Sequence, residues 1–415
     1  TYQCAGYNAD LLRAARKTHG QPMGMYLITS SGRTPLDVKL KAYSSIGRGV
    51  RTLQSYAYGI PYASHNRGWY MNKDMCIAVK QLTHEIGGAE DLLLQATRIP
   101  SEVAFLYATT SDIWTLNDNE LYGHERMHTY LALMHAQVPV DFLSEKDVID
   151  GQLRPYKALY VFGPNLQPEA VPPIVEWTKG GGTLYLAAGA ATADQYNRSA
   201  RPLDRALTLS RGSVDTLQKY TAPGRHLRGL TPHGHVALDH GTADILGVRQ
   251  TLDAQATLGA SVLAWSDDRT PLAIRCQRGE GTVFATGFMP GISYIRKALL
   301  ERDTEEARER NPGSNLGIPG MDSHTKLAPH EQSYNPTAYP EGERNFLLLP
   351  IQQAKLTRPI VLSHPLVEAC YLEGPRGAVI TLANYGMHPI ENLRATIRAG
   401  RSVAKVESVR HGTLS

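Results

Sequence analysis

The sequence predicts an α/β protein built around a doubly wound, mostly parallel sheet. Two strand-helix-strand units follow each other between Ser101 and Tyr196 and end in a glycine-rich strand. The apolar runs are continuous, as expected of parallel strands that are covered on both faces. Helices between such strands imply crossover connections. In chain order, these segments are EVAFLYATTSDIW, helical GHERMHTYLALMHAQ, PVDFLSEKDV, YKALYVFG, helical PEAVPPIVEWTKGGG and TLYLAAGA.

Residues 1–100 predict a βα repeat with too few strands to close a barrel of eight. The expected order is helix, strand, helix, strand and long helix, at 8–19, 23–29, 36–48, 50–58 and 72–96. A barrel fragment has unpaired sheet edges, so the missing strands should come from elsewhere, or this part packs differently. The chain starts at Thr1 and runs directly into a helix, so we expect either a processed mature chain or a piece of a longer polypeptide, with the second favoured.

The remaining chain divides by pattern into three regions. We expect the doubly wound domain to cover 101–296 and to end in a hairpin, because two alternating apolar runs flank the turn from Arg278 to Gly281. Residues 297–345 carry a charged segment and a Pro/Gly/Ser/His stretch, typical of a linker or an insertion. Residues 346–415 contain short strands separated by turn residues, which predict a small antiparallel β-sandwich.

Composition excludes several classes of protein. The chain has 415 residues, 42% hydrophobic and 20% charged, and a net charge of +4, as in ordinary globular proteins. It has no basic block interleaved with aromatics, so we expect no nucleic-acid partner. No run approaches the length of a membrane span, so we expect a soluble protein, with the cytoplasm favoured. The four cysteines are scattered without metal-like spacing and are expected to be buried and inert: Cys4, Cys76, Cys276 and Cys370.

The order of elements resembles the last quarter of the catalytic barrel of family 42 glycoside hydrolases, followed by their later domains. The phrases that carry the resemblance are MGMYLITSS, GVRTLQSYAYG, PYKALYVFGPNL, VEWTKGGGTLYL and GEGTVFATGF. The β-galactosidases of that family have an eight-stranded barrel, a flavodoxin-like domain related to class I glutamine amidotransferases and a small β domain. The resemblance implies carbohydrate as substrate and a homo-oligomer, with a trimer favoured. It also makes an upstream barrel segment or chain an expected partner.

The same resemblance implies that a catalytic carboxylate expected on the first strand is absent. It makes 23–30 barrel strand seven, where the family carries its nucleophilic glutamate, but the aligned residues are Leu27, Ile28 and Thr29. The family's acid/base glutamate comes from strand four, which this chain does not contain. Retaining hydrolysis needs two carboxyl groups about 5 to 5.5 Å apart. The nearest downstream acid, Asp37, is better explained as a helix start, where the helix dipole favours a carboxylate. The catalytic residues are therefore unknown.

Aromatic residues cluster in the loop after the second strand, where a barrel would hold its ligand. Aromatic faces with polar edges suit sugars, although such residues are as often packing anchors. The aromatic and histidine residues of this loop are Tyr56, Tyr58, Tyr62, His65, Trp69 and Tyr70. The predicted substrate-binding residues are Thr29, Tyr56, Tyr58, His65 and Trp69.

Other chemistries find little support. The amidotransferase relationship would require a cysteine on a strand-to-helix turn, but Gly163 and Ala188-Gly189 occupy those turns. His124 and His128 have the spacing of a metal pair on a helix, but Arg126 lies between them. We therefore expect neither a metal nor a cofactor.

Two functional interpretations remain open. The first is a β-galactosidase-like glycoside hydrolase polypeptide, as the C-terminal part or as a degenerate relative without its own carboxylate pair. The first also leaves open an active glycosidase whose carboxylates come from a separate chain or an unseen upstream segment. The second is a non-catalytic oligomerisation or carbohydrate-binding protein.

Overall fold

A computed structural model of the chain describes residues 4–17, 20–28, 35–56, 73–115, 120–218, 227–302, 336–386 and 388–414. Within these ranges the protein is a mixed α/β structure organised around one seven-stranded sheet. No helix within the described ranges combines the length and the apolar character that crossing a membrane requires.

The first hundred residues contain a parallel strand pair packed between helices. Its apolar core is formed by buried side chains of the first strand and the two helices that cover it, Leu27, Val38, Ala42, Met75 and Leu82. The elements are α1 (Ala5–Arg16), β1 (Met23–Ile28), α2 (Pro35–Ile46), β2 (Val50–Tyr56), α3 (Lys73–Gly87), α4 (Glu90–Leu93) and β3 (Thr97–Arg98). The single long helix predicted over 72–96 is wrong, because α3 ends at the Gly87-Gly88 pair and only one further turn follows. Glycine weakens a helix interior, which explains the break.

The central region forms the large sheet and the helices that cover it. Its first half comprises β4 (Val103–Tyr107), α5 (Thr109–Thr115), α6 (Leu121–His135), β5 (Asp141–Ser144), α7 (Glu145–Ile149), β6 (Ala158–Val161), α8 (Val171–Lys179) and β7 (Thr183–Leu186). Its second half comprises α9 (Pro202–Ala206), β8 (Arg211–Thr216), β9 (His235–Ala237), β10 (Thr242–Asp244), β11 (Val248–Leu252), β12 (Ser261–Trp265), β13 (Pro271–Arg278), β14 (Gly281–Thr286) and α10 (Pro290–Arg302).

The sheet order is β12-β13-β14-β7-β6-β4-β5. The five strands from β14 to β5 are parallel, and β12 and β13 extend the sheet in antiparallel pairing. Strands β4, β6 and β7 are almost wholly buried, as predicted from their continuous apolar runs. The mostly parallel, helix-covered sheet predicted from the sequence is therefore present.

Two local predictions in this region have different outcomes. The hairpin is confirmed: β13 and β14 pair from Ala273 opposite Thr286 to Arg278 opposite Gly281. The long apolar run EVAFLYATTSDIW does not form one strand, since β4 ends at Tyr107 and the residues from Thr109 form α5. The threonine and serine residues that follow the apolar part of this run favour helix starts, because their side chains hydrogen-bond nearby backbone groups, which explains the switch.

The C-terminal region returns to the first hundred residues. Its elements are α11 (Glu341–Leu347), α12 (Leu349–Gln353), β15 (Ile360–Leu362), β16 (Val367–Gly374), β17 (Gly377–Asn384), β18 (Ala395–Ile397), β19 (Glu407–Ser408) and β20 (Gly412–Thr413). Strand β16 pairs with β17 on one side and with the short β3 on the other. Strands β15 and β18 form a separate antiparallel pair, as do β19 and β20. The predicted boundaries at 296/297 and 345/346 lie inside α10 and α11.

Candidate functional site

The candidate sugar site lies at the carboxyl ends of β1 and β2. These strands pair in parallel with Ile28 opposite Tyr56, so both strands end at the same edge. Thr29, Tyr58, His65 and Trp69 lie outside the described residues, as does the side chain of Tyr56. The substrate-binding assignment of these five residues therefore stays a prediction.

The described end of β1 offers no carboxylate for nucleophilic attack on a sugar. The strand reads MGMYLI and contains no carboxylate. Asp37 lies in the first turn of α2, as expected of a helix start, and its side chain is buried. A retaining mechanism needs a pair of carboxyl groups facing the substrate, and β1 supplies neither of them.

A buried ionic junction holds this strand pair against the large sheet and the C-terminal strands. We define it by its six charged residues, Asp10, Arg13, Arg48, Arg98, Asp141 and Glu368. They come from α1, the turn after α2, β3, β5 and β16. Three guanidinium groups face three carboxylates, so the formal charges cancel within the junction. Such balance is what allows ions to be buried at tolerable cost.

Asp10 is the centre of the junction. Its Oδ1 accepts from Nη2 of Arg13 at 2.9 Å and from Nη1 of Arg98 at 3.2 Å. Its Oδ2 accepts from Nε of Arg48 at 3.0 Å and from the hydroxyl of Tyr130 at 2.5 Å. Burial alone would raise the pKa of Asp10, but the surrounding guanidinium groups hold it well below its usual range.

Arg48 extends the junction to the C-terminal strands. Its Nη1 donates to Oε1 of Glu368 and, at 2.9 Å, to the hydroxyl of Ser44. Glu368 also accepts from Ser44 at 3.0 Å and from the Tyr385 hydroxyl at 3.2 Å. A glycine at position 6 makes room for Arg48, since a Cβ there would lie 2.5 Å from its guanidinium carbon. The amino end of β2, opposite the edge of the candidate sugar site, is thus tied to β16, more than 300 residues away in the chain.

The carboxyl edge of the large sheet is a second place where α/β proteins bind ligands. Here the side chains of Ser111 and Tyr122 pack against two of the turns at this edge. A Cβ at Gly163 would lie 2.0 Å from Oγ of Ser111, and a Cβ at Gly189 would lie 2.7 Å from the Tyr122 hydroxyl. Both glycines have positive φ, at 77° and 74°, so the chain turns sharply where a cofactor or nucleophile would sit.

Cysteine and metal chemistry find no site in the described part of the chain. None of the four cysteines forms a disulfide, and Cys276 is buried inside β13. The rings of His124 and His128 stack at 5.7 Å, and Nδ1 of His128 lies 2.8 Å from the carbonyl oxygen of His124. Burial lowers the pKa of His128 to about 3, so its ring is neutral. The described residues include no group of three or more side chains placed to hold a metal ion.

The arrangement is similar to a known class of protein, the family 42 glycoside hydrolases. No protein-family model and no curated protein sequence matches the chain. Solved structures do match the chain, and they show that its fold is glycoside hydrolase-like. The matching structures described below are β-galactosidases.

Three of these structures illustrate the extent of the likeness. Gan42B, a GH42 β-galactosidase from G. stearothermophilus, matches 99% of this chain and 55% of its own at TM-score 0.63 and 14% identity. A β-galactosidase from Bacillus circulans sp. alkalophilus matches 100% of this chain and 56% of its own at TM-score 0.65 and 16% identity. One from Rahnella sp. R3 matches 89% and 50% at TM-score 0.59 and 13% identity. The chain thus spans about half the length of these proteins.

The ionic junction was missed by sequence reasoning. One signal was available: Glu368 lies in the mainly apolar first part of β16, VEACYL, where it is buried. Charged residues are almost never fully buried unless they are paired, so a glutamate among apolar residues indicates a charged or hydrogen-bonding partner. Nothing local in the sequence identifies that partner as Arg48.

Proposed function

We propose that the chain is a glycoside hydrolase polypeptide of the GH42 β-galactosidase type that acts on carbohydrate. In this proposal it is the C-terminal part of such an enzyme, or a degenerate relative that lacks its own catalytic carboxylate pair. The observation that carries the proposal is a fold match over nearly the whole chain to β-galactosidases of which it covers only about half. The absence of a carboxylate from β1 supports the part of the proposal in which the chain lacks its own catalytic carboxylate pair.

The domain assignment is part of the same proposal. Residues 1–100 would be the last βα units of a TIM-like barrel, 101–296 a flavodoxin-like domain of the trimerisation type, 297–345 a linker or insertion, and 346–415 a β-sandwich. The parallel strands of the large sheet support the second assignment, because their chain order across the sheet is 2-1-3-4-5. That order is the one found in flavodoxin-like folds.

The substrate and the partners of the chain are also part of this proposal. Carbohydrate would bind at the edge where β1 and β2 end, with Thr29, Tyr56, Tyr58, His65 and Trp69 as the contacting residues. The paired strand ends support this location. The chain would form a homo-oligomer, with a trimer of closed symmetry favoured, and an upstream barrel segment or chain would supply the missing strands.

Isothermal titration of the purified chain with galactose tests the sugar site. The matched variants are Trp69→Phe, in the candidate loop, and Trp265→Phe, on β12 and about half exposed. We expect the unaltered chain and W265F to bind galactose, and W69F to bind it about fivefold more weakly, because phenylalanine offers a smaller stacking face and lacks the indole N–H donor. Absence of binding by the unaltered chain, or equal binding by W69F, would contradict the assignment.

The second candidate function is a non-catalytic carbohydrate-binding or oligomerisation protein. The lack of a carboxylate on β1 favours it. Galactose binding without turnover, in a chain whose mass in solution is a multiple of 45.6 kDa, is the outcome it requires.

A further inference from the structure

An open cavity of about 270 Å³ lies beside α9. Its lining residues fall between positions 199 and 211, far along the chain from β1 and β2. Its walls carry three arginines, one aspartate and two serines, and they contain no aromatic residue. The charged members are Arg201, Asp204, Arg205 and Arg211. Three positive groups face one negative group, so the cavity has an excess positive charge.

The aspartate is already engaged by the deepest arginine. Nε of Arg211 donates to Oδ1 of Asp204 at 2.6 Å, and Nη2 donates to the carbonyl oxygen of Ala190 at 2.8 Å. The side chain of Arg211 is fully buried, and its Nη1 has no hydrogen-bond partner among the described residues. Burial lowers the pKa of this guanidinium below its ordinary value, despite the neighbouring carboxylate. Arg211 and Asp204 thus form one ion pair, which leaves Nη1 of Arg211 as a donor, and Oδ2 of Asp204 as an acceptor, without a hydrogen bond among the described residues.

The two remaining arginines line the cavity nearer its mouth. Arg201 donates to the carbonyl oxygens of Arg211 and Gly212, and its Nη1 lies 3.9 Å from Oδ2 of Asp204. Carbonyl oxygens do not neutralise a guanidinium, so Arg201 keeps its full charge. The side chain of Arg205 is exposed and makes no hydrogen bond or ion pair within the described ranges, and its backbone N–H donates to the carbonyl oxygen of Arg201. It is free to swing over a bound ligand.

The backbone around the cavity is held in an uncommon geometry. Arg201 has φ 46° and Thr208 has φ 51°, so both ends of the α9 segment are left-handed at residues other than glycine. A positive φ is a genuine outlier for a β-branched threonine. Such conformations persist only where the surroundings over-determine them, which fixes the wall that carries the arginines.

We infer that this cavity is a binding site for a small oxyanion of the phosphate or carboxylate class. Arg201 and Arg205 contact the anion, Arg211 supplies a fixed positive charge beneath it, and the hydroxyls of Ser199 and Ser210 offer further donors. Arginine is suited to this role because its planar fork matches both phosphate and carboxylate. A neutral sugar would find no ring to stack on here.

Isothermal titration with inorganic phosphate, and separately with acetate, tests the site at constant ionic strength set with sodium chloride. The variant is Arg205→Gln, which removes no structural hydrogen bond seen in the described residues. The matched control is Arg154→Gln, an exposed arginine elsewhere on the sheet domain. We expect the unaltered chain and R154Q to bind at least one of the two anions, and R205Q to bind it about tenfold more weakly.

The relative affinity of the two anions assigns the ligand class. Tighter binding of phosphate assigns phosphate monoesters, and tighter binding of acetate assigns carboxylates. No heat of binding with either anion overturns the inference, as does equal affinity of R205Q and the unaltered chain. This test is independent of galactose binding, so its failure is distinguishable from failure of the proposed function.

Discussion

Nε of Arg48 donates to Oδ2 of Asp10 at 3.0 Å, with both side chains at least 95% buried. The pair joins the first helix to the turn before β2, and through Glu368 it reaches the C-terminal strands. Removing either partner would leave the buried junction with one unbalanced charge.

Replacing Asp10 with asparagine should strongly destabilise the protein. Three guanidinium groups would lose their shared carboxylate, and breaking a buried pair in this way typically costs about 3 to 5 kcal/mol. We expect urea unfolding of D10N to show a loss of that size. Asp150→Asn, which removes an exposed partner of Lys146, is the control and should leave the midpoint unchanged. Equal midpoints for D10N and the unaltered chain would show that the junction does not stabilise the fold.

Acid should destabilise the protein partly through the same carboxylate. The folded-state pKa of Asp10 is depressed below its unfolded value of about 3.9, so its contribution is present above that pH and is lost as the pH falls. We expect the free energy of unfolding to fall more steeply below pH 4 in the unaltered chain than in D10N. Parallel pH profiles for the two proteins would contradict this origin of the acid sensitivity.

Glu125 should give the opposite pH dependence near neutrality. It is fully buried on α6, and it accepts from the backbone amides of Gly291 at 3.0 Å and Ile292 at 2.8 Å at the start of α10. Burial raises the pKa of Glu125 to about 7 despite these bonds. A raised pKa stabilises the fold below the unfolded value and ceases to do so as pH rises through 7.

The expected result is a loss on the order of 2 kcal/mol between pH 5 and pH 8, measured by urea unfolding at both values. Glu125→Gln should remove most of that loss, because the amide does not titrate. Glu176→Gln, on the exposed side of α8, should retain it. A loss of the same size in E125Q would assign it to another group.

Gly163→Ala should destabilise the protein by more than backbone strain alone. Gly163 has φ 77°, and a Cβ there would lie 2.0 Å from Oγ of Ser111. The control is Gly151→Ala, where φ is 80° and no atom lies within 4 Å of the added Cβ. We expect G151A to cost about 1 kcal/mol for strain and G163A about 1 to 3 kcal/mol more for overpacking, by urea unfolding. Equal losses would mean that the carboxyl edge of the sheet has room for a ligand.

Local pattern was sufficient for much of the fold. The hairpin at β13 and β14 was predictable because glycine adopts φ 61° at position 279, where a Cβ would lie 2.4 Å from the carbonyl oxygen of Lys179. The parallel strands were predictable because burial on both faces leaves continuous apolar runs. The end of α3 at Gly87 was not predicted, because α4 begins after a gap of only two residues and the two helices look continuous in the sequence.

Long-range relationships could not be predicted in the same way. Arg48 and Glu368 meet across 320 residues, and β3 pairs with β16 through only two residues. Neither segment carries a pattern that names its partner. The sequence could predict the missing carboxylate on β1 only by resemblance, and it could predict the loop of Tyr58, His65 and Trp69 only as a candidate. That assignment stays a prediction.

Hydrolysis of a chromogenic β-galactoside by the purified 415-residue chain tests the central claim most directly. We expect release of the chromophore at the rate of a protein-free blank, because β1 carries no carboxylate and the proposed function gives this chain no catalytic carboxylate pair of its own. The contradicting result is turnover by the chain alone that is abolished by a single carboxylate substitution within it, with Asp37→Asn as the first variant to test.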